Sequence, residues 1–275
     1  MIRGLYNASS GLVASMRQQE VVAESVANLN TPGFKTERAA QLSFPGMLAA
    51  RIGPATAPVP LRSTRMLGVA GGGAYLGERL TVLDEGSARA TQRSLDTMLR
   101  GDGFFVLDTD GGTRYTRDGH FLLDEQGRLT TGQGDLVRGE DGGPIALGEN
   151  VAALRIAPDG RVLVRRVPTG AASDGTELLP EELVATLAVV SLPPEGLLRD
   201  GDSRFLLAPG FAAGAVDLGT ATVVQQGALE EANVDVARLA TQLLSYSRAY
   251  NASQHVFTTI NEGLEQTVRE IGRVG

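Results

Sequence analysis

The stretch VARLATQLLSYSRAYNASQHVFTTINEGLEQTVREI, residues 236–271, decides the architecture. It overlaps residues 228–262, which contain no glycine or proline in a chain holding 35 glycines among 275 residues. Such a stretch predicts one long helix. Val236, Leu239, Leu243, Tyr246, Tyr250, Ser253, Phe257, Ile260, Leu264, Thr267 and Ile271 follow alternating steps of three and four, and nine of these eleven are apolar or aromatic. That is a coiled-coil seam of about five heptads, roughly 54 Å long. Asn233 or Asp235 supplies the N-cap. The first thirty residues repeat the spacing more weakly at Ile2, Leu5, Ser9, Leu12, Met16, Gln19, Ala23 and Val26. Thr31-Pro32-Gly33 ends this first helix, because Pro32 disfavours helical geometry at Thr31 and Pro-Gly suits the centre of a type II turn.

Both terminal segments are poor in charge. Arg248 is the only formal charge between residues 239 and 261, and none lies between Gly4 and Met16. Alanine, serine, threonine, glutamine and asparagine occupy the rest of the surface, so neighbours can approach without stranding charges away from water. One partner helix covers only part of such a seam. The expectation is therefore that the termini pack on several sides and order fully when many copies assemble.

Between the helices the character changes twice. Residues 44–60 hold four prolines (Pro45, Pro54, Pro58 and Pro60) and residues 68–77 five glycines. This predicts an extended arm with little regular structure. From Arg79 to Ala208, short β-prone runs such as GFFVL, HFLL, RVLVRRV and LVATLAVV alternate with turn signals. Asp118-Gly119 and Asp159-Gly160 are the strongest hairpin signals. The fold class read from the chain is mostly β with α-helical termini. The N- and C-terminal helices pair as a coiled-coil-like stalk, an extended arm follows, and an antiparallel β-domain fills the middle. The boundaries are 1–31 for the first helix, 32–78 for the arm, 79–214 for the β-rich domain, 215–231 for the return connection and 232–275 for the closing helix.

Composition excludes much chemistry. The net charge of -7 argues against nucleic acid as a partner. No window approaches the roughly 20 apolar residues of a membrane span, so no direct membrane insertion is expected. Met1 to Glu20 lacks the apolar run and cleavage site of a signal peptide. Zero cysteines remove disulfides, thiolate catalysis and Cys-ligated metals. Two histidines, His120 and His255, read as a strand residue and a helix-surface residue. Asp102, Asp108, Asp110, Asp118 and Asp124 sit beside glycines or at strand ends, where aspartate makes Asx turns. DTDGG fails the EF-hand pattern at Gly112, and Gly71-Gly72-Gly73 lacks the spacing of a phosphate cradle. No catalytic residue, cofactor or metal is expected.

Ser9 to Lys35, SSGLVASMRQQEVVAESVANLNTPGFK, resembles the N-terminal signature of the bacterial flagellar basal-body rod and hook proteins, with Ala27, Asn28, Asn30, Thr31, Gly33, Phe34 and Lys35 matching its ending. Ser25-Val26 stands where the family usually has an Asn-Asn pair. GDGFFVLDTDGGTRYTRDGHFLLDEQGRLTT, Gly101 to Thr131, resembles the internal block of the distal and proximal rod proteins. The closing segment from Gln226-Gly227 through Arg248-Ala249-Tyr250 resembles their C-terminal helix.

The resemblance implies a structural subunit of the flagellar rod, a hollow helical drive shaft that crosses the periplasm, transmits torque and lets export substrates pass. The terminal helices would form its inner tube and the β-domain its outside. It implies a homo-oligomer, contacts with other flagellar rod and hook subunits, and passage through the flagellar type III export apparatus without a cleaved signal. The assembly residues it implies are the seam positions Leu5, Leu12, Met16, Val26, Val236, Leu239, Leu243, Tyr246, Tyr250, Phe257, Ile260 and Leu264, with the turn residues Asn28, Asn30, Thr31, Gly33, Phe34 and Lys35. The opening MIRGLYNASSGL leans towards the distal rod, with the proximal rod second. The competing class is a secreted β-rich enzyme or carbohydrate-binding module with a helical stalk.

Overall fold

The computed structural model describes residues 2–44, 47–52, 64–70, 72–167, 180–201 and 203–273. The chain divides into two compact units. The first comprises Met1–Glu24, Arg38–Arg79 and Asp235–Gly275, and the second Ser25–Glu37 and Leu80–Val234.

The first unit is built on two helices, α1 (Ile2–Ala27) and α2 (Val236–Arg273). Asp235 caps α2, its carboxylate accepting the Arg238 N–H at 3.1 Å and its carbonyl the Leu239 N–H at 2.9 Å. The helices run antiparallel in close contact. A Cβ added at Gly4 would lie 3.0 Å from Ile260 Cδ1, and one at Gly11 would lie 3.1 Å from Ser253 Oγ. Each pair is seven residues from the next on its own helix, so the contact repeats by heptads.

The segment between the helices in this unit is more regular than its prolines and glycines predict. β1 (Glu37–Ser43) pairs with β4 (Ala74–Thr81), and β2 (Met47–Ile52) pairs antiparallel with β3 (Thr64–Ala70). Extended backbone in a proline-free run finds its hydrogen bonds in a partner strand when one lies alongside. Pro45, Pro54, Pro58 and Pro60 lie outside the described residues. The ribbon follows α1: the Ala74 N–H donates to Ser10 Oγ at 3.2 Å, Arg79 pairs with Glu24 at 3.2 Å, and the Phe44 and Tyr75 rings meet at 4.9 Å.

The second unit is antiparallel β-structure. Its strands are β5 (Ala88–Ala90), β6 (Thr97–Arg100), β7 (Phe104–Thr109), β8 (Gly112–Thr116), β9 (Phe121–Leu123), β10 (Leu129–Thr131), β11 (Leu136–Val137) and β12 (Val151–Ile156). There follow β13 (Arg161–Arg166), β14 (Glu182–Thr186), β15 (Val189–Ser191), β16 (Leu197–Arg199), β17 (Arg204–Leu207), β18 (Gly214–Ala215), β19 (Val223–Gln226) and β20 (Ala228–Glu230). The largest sheet has the order β16-β17-β8-β7-β11-β10-β9, with β15 also on β7 and β18 on β15. β12-β13-β14 form a second sheet, and β19 pairs with β6 and β20 with β5.

Both faces of β7 are covered. Phe105 joins a core with Phe121, Leu129, Val137, Val164 and Leu187, while Phe104 faces a smaller cluster with Leu192, Leu197 and Phe205. Phe105 meets Phe121 edge-on at 5.1 Å and Phe104 meets Phe205 at 5.6 Å.

Asp159-Gly160 makes the expected hairpin between β12 and β13. Asp118-Gly119 does not. β8 pairs with β7 and β17, whereas β9 pairs with β10. The turn closing β7 onto β8 is Asp110-Gly111, with Thr109 opposite Gly112. Gly119 is instead a corner pressed on β6: its carbonyl accepts the Thr97 N–H at 3.0 Å, and a Cβ there would lie 1.6 Å from the Thr97 carbonyl oxygen. Close approach, not hairpin formation, selects glycine at that position.

Gly11→Leu should force α1 and α2 apart and cost about 1–3 kcal/mol of stability. Hydrogen exchange localised to both helices, with β7 unchanged, checks this.

Candidate assembly interface

The turn after α1 is built locally. The Phe34 N–H donates to the Thr31 carbonyl at 3.3 Å across Pro32-Gly33, and Gly33 has φ +67°. That is the geometry of a type II turn, which requires glycine at its third position. The Thr31 hydroxyl donates to Asn28 Oδ1 at 3.0 Å and the Thr31 N–H to the Asn28 carbonyl at 3.1 Å. Gly33 also lies against Arg117: a Cβ there would be 2.4 Å from the Arg117 carbonyl carbon.

The turn delivers Phe34 and Lys35 into the interior of the second unit. Each is 1% exposed. The Lys35 ammonium meets Glu230 Oε1 at 2.6 Å, the Asp84 carbonyl at 2.7 Å and the Leu83 carbonyl at 3.4 Å. Arg117 donates to the other carboxylate oxygen of Glu230 at 3.4 Å and to the Leu99 and Gly101 carbonyls at 3.2 and 2.6 Å, with its guanidinium 5.3 Å from the Phe104 ring centroid. The Gly86 N–H donates to Glu230 Oε1 at 2.8 Å. Arg199 lies over the Phe34 ring at 4.4 Å, donates to the Lys35 carbonyl and pairs with Glu37 at 3.2 Å. Burial pushes the Lys35 ammonium below its usual range, and the Glu230 carboxylate opposes that push. Arg117 is shifted down by the same burial, again opposed by Glu230.

Sequence reasoning picked out Lys35 only through its resemblance. It missed Glu230, Arg117 and Arg199, whose partners lie far away along the chain. It offered Asn233 as a helix cap, but that side chain instead joins the Lys35 turn, accepting the Thr36 N–H at 2.7 Å and donating to the Val82 carbonyl at 2.8 Å.

The helices distribute their side chains unevenly. On α1, Ala8, Ser15, Gln18, Val22 and Ser25 are buried. With Gly4 and Gly11 they form a stripe one residue ahead of the large apolar stripe read from the sequence. Of that large stripe, Leu5 and Leu12 are half-buried, while Met16 is 44% and Val26 49% exposed. The periodicity was carried by large side chains, yet small ones allow the close approach that α2 makes; the spacing of Gly4, Ala8, Gly11 and Ser15 was the available signal. On α2, Leu239, Tyr246, Tyr250, Phe257, Ile260 and Leu264 are half-buried, whereas Val236 and Leu243 are exposed. Asn28 and Thr31 are half-buried and Asn30 is exposed.

The aspartates serve local structure. Asp118 Oδ1 accepts the His120 N–H at 2.9 Å, Asp124 Oδ1 accepts the Gln126 and Arg128 N–H groups at 3.0 and 2.7 Å, and Asp108 pairs with Arg138 at 3.1 Å. His120 meets the buried Asp96 at 3.0 Å, and His255 is exposed on α2. Among the described residues no group of three or more His, Asp or Glu side chains is placed to hold a metal ion. No helix among them is long and apolar enough to cross a membrane.

The first unit pairs two antiparallel terminal helices, and the second is antiparallel β-structure that buries a Gly-Phe-Lys turn. Three family models match along the chain: "Flagella basal body rod protein" at residues 5–35, "Flagellar hook protein FlgE/F/G D1 domain" at 98–164 and "Flagellar basal body rod FlgEFG protein C-terminal" at 225–270. The flagellar basal-body rod protein FlgG of Bacillus subtilis is 31% identical, the match covering 98% of each chain. FlgG of Caulobacter vibrioides is 30% identical over 97% of this chain and 98% of its own length. The basal-body rod protein FlgF of Rhizobium meliloti is 27% identical over 99% of both. The chain belongs to the flagellar basal-body rod protein family.

Two outcomes follow from the site. Glu230→Ala strands two buried cations and should cost about 3–5 kcal/mol. Lys35→Met leaves Arg117 paired with Glu230 and should cost less, an order that denaturant unfolding checks. Burial also raises the Asp118 carboxyl above its usual value, against the His120 N–H. A raised folded pKa gives stability that is complete below the unfolded value of about 3.9 and is lost as pH rises through the folded value. Asp118→Asn should therefore melt higher than wild type at pH 7, and the two melting curves should converge towards pH 4.

Proposed function

We propose that this chain is a structural subunit of the flagellar basal-body rod, assembling with copies of itself and with other rod and hook subunits through its terminal helices. The observation that carries this reading is the helix pair. α1 meets α2 along small residues of its own such as Gly4 and Gly11, while the large apolar side chains Tyr6, Val13, Met16 and Val26 on α1 and Val236, Leu243, Leu244 and Val256 on α2 stay exposed. Exposed apolar side chains in such number along two helices favour a neighbour that covers them. Relatives matching over the whole length and named as basal-body rod proteins support the same reading.

The wider reading is a hollow shaft spanning the periplasm, transmitting torque and passing export substrates, its subunits delivered by the flagellar type III apparatus. The opening MIRGLYNASSGL supports a distal over a proximal position. Seam and turn residues serve assembly in two ways. Exposed positions such as Met16, Val26, Asn30, Val236 and Leu243 meet neighbours, while Gly33, Phe34 and Lys35 act through the turn they hold. The enzyme or carbohydrate-binding alternative is not favoured. The cavity of about 480 Å³ between Leu83, Phe104, Leu192 and Pro193 presents Arg117, whose terminal nitrogens are already engaged with Leu99, Gly101 and Glu230.

Leu243→Asp changes an exposed position and should leave the isolated subunit within about 0.5 kcal/mol of wild-type stability. It should abolish tubes or stacked rings in electron micrographs of concentrated protein, and motility in cells, because assembly would bury an unpaired charge. Motile cells carrying the change would overturn the reading.

A further inference from the structure

Three passages of the chain through the second unit, residues 33–36, 82–86 and 230–233, lie within a few residues of three of the four points where it crosses between units, those after 37, 79 and 234. Two side chains on the third passage tie the other two together. Asn233 Oδ1 accepts the Thr36 N–H at 2.7 Å, and Asn233 Nδ2 donates to the Val82 and Asp84 carbonyls at 2.8 and 3.1 Å. Glu230 Oε1 accepts Lys35 Nζ at 2.6 Å from the first passage and the Gly86 N–H at 2.8 Å from the second. Backbone bonds close the remaining sides: Gly33 N–H to the Glu230 carbonyl at 2.8 Å, Asn233 N–H to the Phe34 carbonyl at 3.3 Å, and Val82 N–H to the Thr36 carbonyl at 2.8 Å. Each bond alone contributes about 1 kcal/mol. Withdrawing any one passage, however, strands partners on both others, so the cost of opening is collective.

We propose that Asn233 and Glu230 form a brace that makes the three passages one cooperative opening unit. A load carried along any of these crossings is then shared by all three. That consequence rests on the rod reading; the cooperativity does not.

Native-state hydrogen exchange on the full chain, followed against denaturant, reads the brace directly. The amides of Gly33, Thr36, Val82, Gly86 and Asn233 should merge on one opening isotherm; separate isotherms overturn the proposal. Asn233→Ala removes only that side chain's own bonds. It should nevertheless raise exchange about tenfold or more at Gly33, Val82 and Gly86 together with Thr36, while the core amides of Val106 and Leu129 stay protected. A rise confined to Thr36 overturns the brace. If the core amides also lose protection, the milder Asn233→Ser is read by the same criterion. In motile cells the alanine variant should build rods and swim poorly in viscous medium. Coupled amides with unchanged swimming would leave the brace standing and refute its load-sharing role.

Discussion

Around the carboxylate of Glu230 the second unit closes on itself. It is 2% exposed and faces two buried cations, Lys35 and Arg117. Neither could be buried alone, because the desolvation of an unpaired ammonium or guanidinium exceeds what local packing returns. Lys35 and Glu230 are 195 residues apart in the chain, so the ion pair fastens the turn after α1 to the last strand, β20. Much else follows from that fastening. Phe34 is carried under Arg199, Gly33 is pressed against Arg117, and β20 is held beside β5 where the Gly86 N–H reaches the carboxylate.

The helices obey a different constraint. Small side chains at Gly4, Ala8, Gly11 and Ser15 let two backbones approach, and that closeness turns larger side chains elsewhere. A helix with one partner buries one stripe. α2 buries none of its described side chains completely, and α1 does so chiefly with alanine, serine, glutamine and valine. Of the apolar seam residues assigned to assembly from the sequence, Met16, Val26, Val236 and Leu243 stay exposed on the subunit and the others are half-buried.

Legibility in the sequence tracked the range of the physics. The long helix was readable from an absence of glycine and proline and from its heptad spacing, and the turn from Pro32-Gly33, because these are effects of neighbouring residues. Asp159-Gly160 was readable for the same reason. Asp118-Gly119 carries the same dipeptide but forms a corner, since Thr97 occupies the space a hairpin would need and strand pairing there is settled by β7 and β17. The α1 contact face was displaced by one residue because periodicity weighs size, whereas helix approach rewards its lack. Asn233 and Asp235 are both suitable cap residues, and only the positions of Thr36, Val82 and Asp84 separate the brace from the cap that Asp235 makes.

By itself, the sequence determined the class of each segment: helical ends poor in charge, a turn that must contain glycine, and a middle of short antiparallel strands without thiols. These are local properties, set by backbone propensity, side-chain volume and hydrophobic period. Tertiary structure alone decided which charges pair, which helix face turns inward and which of two similar residues caps or braces. Those choices depend on the burial of groups brought together from opposite ends of the chain, where the energy of a contact is fixed by its surroundings and not by its neighbours in sequence.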